Sequence, residues 1–158
     1  PLQKVHRRDS FSCGHSLLDR YLKEQAGQDM KRKLAVCFVL AGGDQMIQGY
    51  YTLSNATIPK SQVPEGIQKR LGYSAIPVTL LGRMAVDRKF QGQGLGQMLL
   101  MDALRRSEEA SRMSSGSFAV ITDPIDPSAE RFYSNFGFKN LEESGRMFLM
   151  MKTIAGLF

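Results

Sequence analysis

The stretch "GRMAVDRKFQGQGLGQMLL", residues 82–100, joins an apolar, strand-like run to a run of helix-forming residues through a glycine-rich turn. A strand that leads through such a turn into a helix brings several unpaired backbone N–H groups and the positive end of the helix dipole into one small volume. Glycine suits this turn because a Cβ would restrict both the backbone angles and the close approach of a phosphate. The stretch therefore predicts a strand–loop–helix unit that is either a phosphate-binding site or a tight turn without a ligand.

The glycines do not follow the two common nucleotide-binding motifs. A P-loop ends in Gly-Lys-Ser or Gly-Lys-Thr, whereas Gly96 is followed by Gln97 and Met98. A dinucleotide fingerprint reads G-x-G-x-x-G after a first strand, whereas Gly92, Gly94 and Gly96 alternate with other residues in the second half of the chain. Neither motif explains this loop.

Length and composition favour one globular domain over residues 1–158, because 42% of the residues are hydrophobic and no linker or repeat interrupts the chain. No apolar run is long enough to span a membrane, and the basic N-terminal residues are not followed by an apolar signal segment, so the cytoplasm is the expected location. Cys13 and Cys37 give no disulfide framework, and no metal-ligand spacing is present. The formal charge of +6 favours a polyanionic partner, although solvated basic surfaces are also common.

Hydrophobic periodicity predicts alternating helices and strands. A helix is predicted after a Ser16 cap, with Leu17, Leu18, Tyr21 and Leu22 on its apolar face. A hairpin turn at 42–45 separates two strands, and a short helix is predicted to close at Gly72. The remaining predicted elements are a strand at 76–87, a helix at 95–113, a strand at 117–123, a helix at 126–137 and a last strand at 147–154.

Two segments resemble the GNAT acetyltransferases. Residues 91–96, "QGQGLG", match the Q/R-x-x-G-x-G/A signature of that family, and residues 129–138, "AERFYSNFGF", match its second segment. The resemblance implies an α/β (α+β) GNAT fold: a central mixed, mostly antiparallel sheet, flanked by helices, that splays open between its fourth and fifth strands. It also implies acetyl-CoA as co-substrate without a metal.

The same resemblance assigns the residues that hold acetyl-CoA. The strand backbone is expected to pair with the pantetheine arm, and the loop amides are expected to hold the pyrophosphate. Phe132 is expected beside the cofactor, and Arg88 and Lys89 are expected to add positive charge near the phosphates. The backbone candidates are Met84, Ala85, Val86, Gln91, Gly92, Gln93, Gly94, Leu95 and Gly96.

Tyr133 matches the family tyrosine that protonates the departing thiolate, a role that helps a thioester react with an amine. Phe132, Phe136 and Phe138 have the spacing of core residues. Asp126 stands where the wider family has asparagine, and it is predicted to cap the helix. Glu65 and Glu130 have no spacing that marks either as a general base. An α-amine acceptor needs less help than a lysine, because its pKa is about 7.7–8.0 rather than about 10.4.

Almost the whole chain resembles the GNAT toxins of bacterial type II toxin–antitoxin systems. The opening "FSCGHSLLDRYLKEQAGQD", residues 11–29, and "GYYTLS", residues 49–54, carry this likeness together with the glycine loop and residues 129–138. The resemblance implies acetylation of the α-amine of aminoacyl-tRNA, which blocks translation. It also implies neutralisation by a ribbon-helix-helix antitoxin and a homodimer.

The basic clusters provide candidates for the macromolecular partners. Phosphate contacts to tRNA, whose backbone attracts basic surfaces in a salt-dependent way, are predicted for Lys31, Arg32, Lys33, Arg88 and Lys89. An acidic antitoxin segment is an equal alternative for Arg7, Arg8, Arg105 and Arg106. Two further functions stay open: acetylation of a small amine or a protein N-terminus, and a non-enzymatic nucleic-acid-binding module, which the paired motifs disfavour.

Overall fold

A computed structural model describes residues 1–142 and 144–158. These residues form two compact units: the first consists of residues 1–54 and 81–103, and the second of residues 55–80 and 104–158. The sequence boundaries between the two units fall inside two strands and one helix. The prediction of one domain over residues 1–158 stays a prediction.

The described elements confirm a mixed α+β fold with a six-stranded, mostly antiparallel sheet. The strand order is β1-β2-β3-β4-β6-β5. The strands are β1 Val36–Ala41, β2 Ile47–Pro59, β3 Ala75–Val86, β4 Ala119–Thr122, β5 Lys139–Asn140 and β6 Met147–Met150. The helices are α1 Ser16–Arg20, α2 Ala26–Lys31, α3 Glu65–Gln68, α4 Leu95–Met113, α5 Pro127–Asn135 and α6 Met151–Ala155, with a π-helical turn at Tyr21–Gln25 between α1 and α2. The opening of the sheet that the resemblance implies stays a prediction.

The first unit packs the N-terminal helical segment against the β1–β2 hairpin. The two strands pair antiparallel, and the hairpin turn closes with a 3.0 Å bond from the Gly42 amide to the Met46 carbonyl. Buried rings fill the space between helix and hairpin: the edge of Phe11 meets Tyr50, with 5.6 Å between the ring centroids, and Tyr21 stacks on Tyr50. This core fixes the first half of the chain around the end of β3.

The second unit has its own apolar core. All four residues of β4 are buried, and β4 pairs antiparallel with β6. Such a short continuous apolar run is typical of a strand that is covered on both faces. The buried members of the core are Ile58, Val63, Ile76, Val78, Ala119, Ile121, Leu141 and Phe148.

Several sequence predictions of local structure are wrong. Leu17 is 70% exposed rather than part of the apolar face. The N-cap residue of α1 is His15 rather than Ser16, which is the first helical residue. The short helix α3 ends at Gln68, before Gly72. The last predicted strand stops at Met150, where α6 begins, because Met151 and Ile154 are both buried at a spacing that puts them on one helical face.

Candidate active site

The glycine loop adopts a backbone that only glycine accommodates without strain. Gly92 and Gly94 have φ angles of +77° and +82°, in the left-handed region. A Cβ at either position would meet no atom within 4 Å, so the backbone conformation, and not crowding, requires glycine. Residues 91–94 are exposed, and the backbone at Gly92 and Gly94 is therefore open to a ligand without an intervening side chain.

Helix α4 begins directly at this loop. The Met98 amide donates the first backbone bond of the helix, 3.1 Å, to the Gly94 carbonyl. The amides of Leu95, Gly96 and Gln97 lie in the first turn, where an α-helix offers no acceptor of its own. Over its 19 residues α4 has a full helix dipole, whose positive end adds to these donors. The loop and the first turn of α4 together form an anion-binding cradle.

Two side chains fix the cradle to the N-terminal segment. The buried carboxylate of Asp87 accepts bonds from the amides of Lys89, 2.9 Å, and Ser12, 3.0 Å. The side-chain amide of Gln91 donates to the carbonyls of Cys13, 2.9 Å, and Val86, 2.8 Å. Sequence reasoning missed the role of Asp87, although an Asp that precedes a turn by one residue is a typical Asx-turn residue.

The strand that leads into the loop lies against a glycine of β2. A Cβ on Gly49 would come within 2.8 Å of a Leu99 methyl and 3.1 Å of the Ala85 carbonyl, so any larger residue there would crowd both neighbours. Ala85 is buried, whereas Met84 and Val86 are partly exposed. The Val86 carbonyl is already bonded to Gln91, so it is not available to a ligand. The pairing predicted for Met84, Ala85 and Val86 stays a prediction for the other backbone groups of this stretch.

The predicted tRNA-contact residues of the first unit are exposed. Lys31, Arg32 and Lys33 follow one another at the end of α2, and Lys89 is exposed beside the loop. The exposed Arg88 side chain lies against Gly14, where an added Cβ would be 3.5 Å from its Nε. A cleft of about 630 Å³ brings the basic side chains at the start of the chain beside those of the helices; among its lining residues are Lys4, Arg8, Lys23, Glu24 and Lys31.

Tyr133 belongs to the second unit, on α5. Its side chain is 6% exposed, forms a hydrogen bond with the Thr122 side chain, and contacts Phe132 and Phe138 with 5.3 Å between ring centroids in each pair. Burial raises the pKa of Tyr133 above its usual value of about 10, and the bond with Thr122 opposes this only in part. The phenol therefore keeps its proton throughout the neutral range.

The start of α5 confirms the predicted cap. Asp126 is the N-cap residue, and its Oδ1 accepts a 2.7 Å bond from the Ala129 amide. The prediction of three core phenylalanines holds fully only for Phe138, because Phe132 and Phe136 are partly buried and pack on each other at 5.1 Å. Partial exposure leaves Phe132 accessible to a ligand.

Neither carboxylate considered as a general base lies in a buried site. Glu65 begins α3 and Glu130 lies on α5, and both are exposed. Among the described residues, no group of three or more His, Cys, Asp or Glu side chains is arranged to hold a metal ion. The described part of the chain also contains no helix that is long and apolar enough to span a membrane.

Sequence reasoning also missed Arg83, one residue before the predicted pantetheine strand. Its guanidinium carbon lies 3.7 Å from the centroid of the Tyr21 ring. The motif "GRMAVD" contains this arginine, but nothing local in the sequence shows that it meets a residue of the N-terminal helical segment.

Comparison with known proteins identifies the family. The acetyltransferase (GNAT) domain model matches residues 33–140. A tRNA-acetylating toxin from Mycobacterium tuberculosis is 35% identical over 130 residues, which cover 82% of this chain and 76% of the relative. The chain therefore belongs to the GNAT acetyltransferase family, as predicted.

Solved structures of toxins share the fold over nearly the whole chain. AtaT complexed with acetyl-methionyl-tRNAfMet superposes with a TM-score of 0.91 at 28% identity and covers 99% of this chain and 94% of that one. A mutant of AtaT bound to the C-terminus of the antitoxin AtaR and to acetyl-CoA superposes with a TM-score of 0.83 at 26% identity and covers 97% and 91%.

Proposed function

We propose that this protein is a toxin that transfers the acetyl group of acetyl-CoA to the α-amine of aminoacyl-tRNA and thereby blocks translation. The observation that carries the proposal is the anion-binding cradle at the start of α4, in a chain whose relatives include a tRNA-acetylating toxin. Acetyl-CoA supplies a thioester that an amine can attack. Each half of the proposal, donor and acceptor, has its own support.

The cradle fits the pyrophosphate of the donor. Backbone amides from Gln91 to Gly96 and the positive end of α4 bind its charge, and the absence of a Cβ at Gly92 and Gly94 admits the phosphates closely. Met84, Ala85 and Val86 run back from this loop along β3, and the backbone of this stretch holds the pantetheine amides as an added strand would be held. Phe132 contributes an apolar contact, and Arg88 and Lys89 contribute charge near the phosphates.

Tyr133 is the proposed general acid. Its phenol holds a proton at the hydroxyl oxygen through neutral pH, because burial raises its pKa. In the transfer a carbon–sulfur bond breaks and a carbon–nitrogen bond forms, so the leaving sulfur needs a proton and the attacking nitrogen must lose one. Tyr133 gives its proton to the sulfur and recovers one that the amine releases.

The acceptor is proposed from charge and from the chemistry of the amine. The formal charge of +6 and the exposed run Lys31, Arg32 and Lys33 suit a phosphate backbone. An α-amine with a pKa of about 7.7–8.0 is already partly neutral at pH 7, so it reacts without a buried carboxylate base.

The proposal extends to partners and location. The likeness to an antitoxin-bound toxin supports a cognate antitoxin, for which we propose the ribbon-helix-helix class. A homodimer, a single domain over residues 1–158 and a cytoplasmic location, where charged tRNA and acetyl-CoA meet, complete the proposal.

Labelled acetyl-CoA tests the function directly. The protein is incubated with aminoacyl-tRNA, with the same tRNA uncharged, and with aminoacyl-tRNA whose α-amine is already acetylated. Label is expected only in the first sample, and it should be released with the amino acid on mild alkaline hydrolysis of the ester. Label in all three samples, or in none, would overturn the proposal. Label found instead in a small amine or a peptide N-terminus would favour the alternative acceptors.

A further inference from the structure

The guanidinium of Arg83 lies over the ring of Tyr21, which neighbouring residues hold in place. Its carbon lies 3.7 Å from the Tyr21 ring centroid, and the Tyr50 ring is nearly parallel to Tyr21, with 6.4 Å between the centroids and an interplanar angle of 16°. The Tyr21 hydroxyl donates a 2.9 Å bond to Asp29, and the Tyr50 hydroxyl donates a 2.7 Å bond to the Leu18 carbonyl. The ring that the Arg83 guanidinium contacts is therefore held in place by its own hydrogen bond and by its aromatic neighbour.

Among the described residues, none accepts a hydrogen bond from the N–H groups of the Arg83 guanidinium. Over residues 1–142 and 144–158, the Arg83 side chain contacts the Tyr21 ring but donates to no carboxylate, carbonyl or hydroxyl. Its backbone amide is bonded to the Thr52 hydroxyl at 3.1 Å, which fixes the position of the residue on β3. A guanidinium that lies over an aromatic ring still has its N–H groups as donors, and their planar fork matches the oxygens of an oxyanion.

The position of Arg83 on β3 indicates which oxyanion its guanidinium would bind. On the proposed function, the donor's pyrophosphate lies at residues 91–96 and its arm runs back along Val86, Ala85 and Met84. The acetyl end therefore points toward Arg83, one residue further along the strand, about 3.3 Å. The amine that attacks must arrive at that end, and in aminoacyl-tRNA the phosphates nearest this amine are those of the last nucleotides.

We propose that Arg83 binds a backbone phosphate of the terminal nucleotides of the acceptor tRNA and so positions the aminoacyl ester beside the donor. This proposal rests on the proposed function. A planar fork suits a phosphate better than the point charge of a lysine, because two N–H groups bind two oxygens at once. Tyr21 is the positioning residue for this contact, since its ring lies against the guanidinium.

Salt dependence of tRNA binding tests the contact without requiring turnover. Fluorescence anisotropy gives the dissociation constant of labelled tRNA, charged and uncharged, between low and moderate salt, and the slope of log K against log salt counts phosphate contacts. Arg83→Met keeps the length of the side chain but removes its donors. We expect it to weaken tRNA binding about tenfold and to reduce the slope by about 0.7–0.9, the value for one contact. Arg70→Met, on an exposed turn of the second unit, is the charge-matched control and should keep the wild-type slope.

The platform provides a second pair of variants. Tyr21→Phe keeps the ring face and should keep tRNA affinity within about twofold, whereas Tyr21→Leu removes the face and should weaken binding. Acetyl-CoA affinity by calorimetry and the thermal midpoint are measured for every variant, because a purely structural role of Arg83 would change these values and leave the salt slope unchanged.

The outcomes separate the two proposals. An Arg83→Met protein with the wild-type salt slope overturns the phosphate contact, whatever its activity. A wild-type protein that binds tRNA with an Arg83-dependent slope but transfers no label supports the contact and overturns the proposed function. A wild-type protein that binds neither form of tRNA overturns both.

Discussion

The buried carboxylate of Asp87 accepts the Ser12 amide at 3.0 Å and the Lys89 amide at 2.9 Å, and so ties the glycine loop to the N-terminal segment. Asp87→Ala leaves both amides without their acceptor. We expect a loss of about 1–3 kcal/mol in the free energy of unfolding, together with a loss of acetyl-CoA affinity of about tenfold, since the loop proposed to hold the pyrophosphate loses its anchor. Denaturant titration and calorimetry measure the two quantities.

Asp44→Ala is the matched control for that variant. Asp44 accepts the Met46 amide at 3.0 Å in the exposed β1–β2 turn, so it makes the same kind of bond away from the loop. The Asp44→Ala variant should lose some stability and keep its acetyl-CoA affinity. Equal loss of affinity in both variants would contradict the anchoring role of Asp87.

Gly94→Ala tests the cradle itself. At a φ of +82° an alanine costs about 1–2 kcal/mol, because the Cβ crowds the following carbonyl. We expect acetyl-CoA affinity to fall with the stability, since the new methyl group occupies the space in front of the loop amides. Gly66→Ala in α3, with open space around it and a helical backbone, should instead be neutral or slightly stabilising. Unchanged acetyl-CoA binding by Gly94→Ala would show that the pyrophosphate lies elsewhere.

Tyr133→Phe removes the proposed proton donor and keeps the ring contacts with Phe132 and Phe138. We expect kcat to fall by about 10²–10⁴-fold while acetyl-CoA affinity changes little. Stopped-flow measurement of CoA release gives kcat, and calorimetry gives the affinity. Acetyl transfer at the wild-type rate would remove Tyr133 from the mechanism. Thr122→Val, which deletes the bonding partner of the phenol, should produce a smaller decrease in kcat.

Alkaline pH should unfold the protein through its buried thiols and phenols. Burial raises the pKa of Cys37 to about 12 and that of Cys13 to about 11, from the usual value of about 9. The folded state therefore keeps protons that the unfolded chain loses, so stability is complete below about pH 9 and falls as the pH rises through the folded pKa values. Each such group contributes a slope of about 1.4 kcal/mol per pH unit in this window.

Cys37→Val isolates one of these groups, since valine fills the buried site without a titratable atom. Urea titrations between pH 8 and pH 11 should give a shallower decline of stability for the variant than for the wild type. Parallel declines would mean that Cys37 titrates equally in the folded and unfolded chains. The buried hydroxyls of Tyr21 and Tyr50, whose pKa values burial also raises, account for part of the decline that remains.

The features predicted correctly are those that short segments determine by themselves. The Asp126 cap and the helix after the glycine loop depend on residues within one or two turns of each other. The apolar run at 147–154 is different, because a short run of this kind is equally compatible with a strand and with a buried helix. Only the packing that buries Met151 and Ile154 selects α6.

The contacts that the sequence does not reveal join distant parts of the chain. Arg83 carries the local pattern of an ordinary strand residue, and Tyr21 that of an ordinary apolar helix position. Their contact exists only because the first unit brings the N-terminal helical segment against β3. The prediction that Leu17 is buried is wrong for a local reason. Its spacing fits the apolar face of a regular helix, but α1 is only five residues long, and the π-helical turn that follows changes the periodicity.

The bonds that fix the glycine loop also determine when it forms during synthesis. Ser12 and Asp87 lie 75 residues apart in sequence, and Cys13 and Gln91 lie 78 apart. Closing contacts of such separation is slow compared with forming a local helix. On the ribosome, Asp87 and Gln91 emerge only after more than half of the chain has been made, so the N-terminal segment cannot form these bonds earlier. A shorter nascent chain contains Ser12 and Cys13 but neither Asp87 nor Gln91, so the glycine loop is fixed in place late in translation.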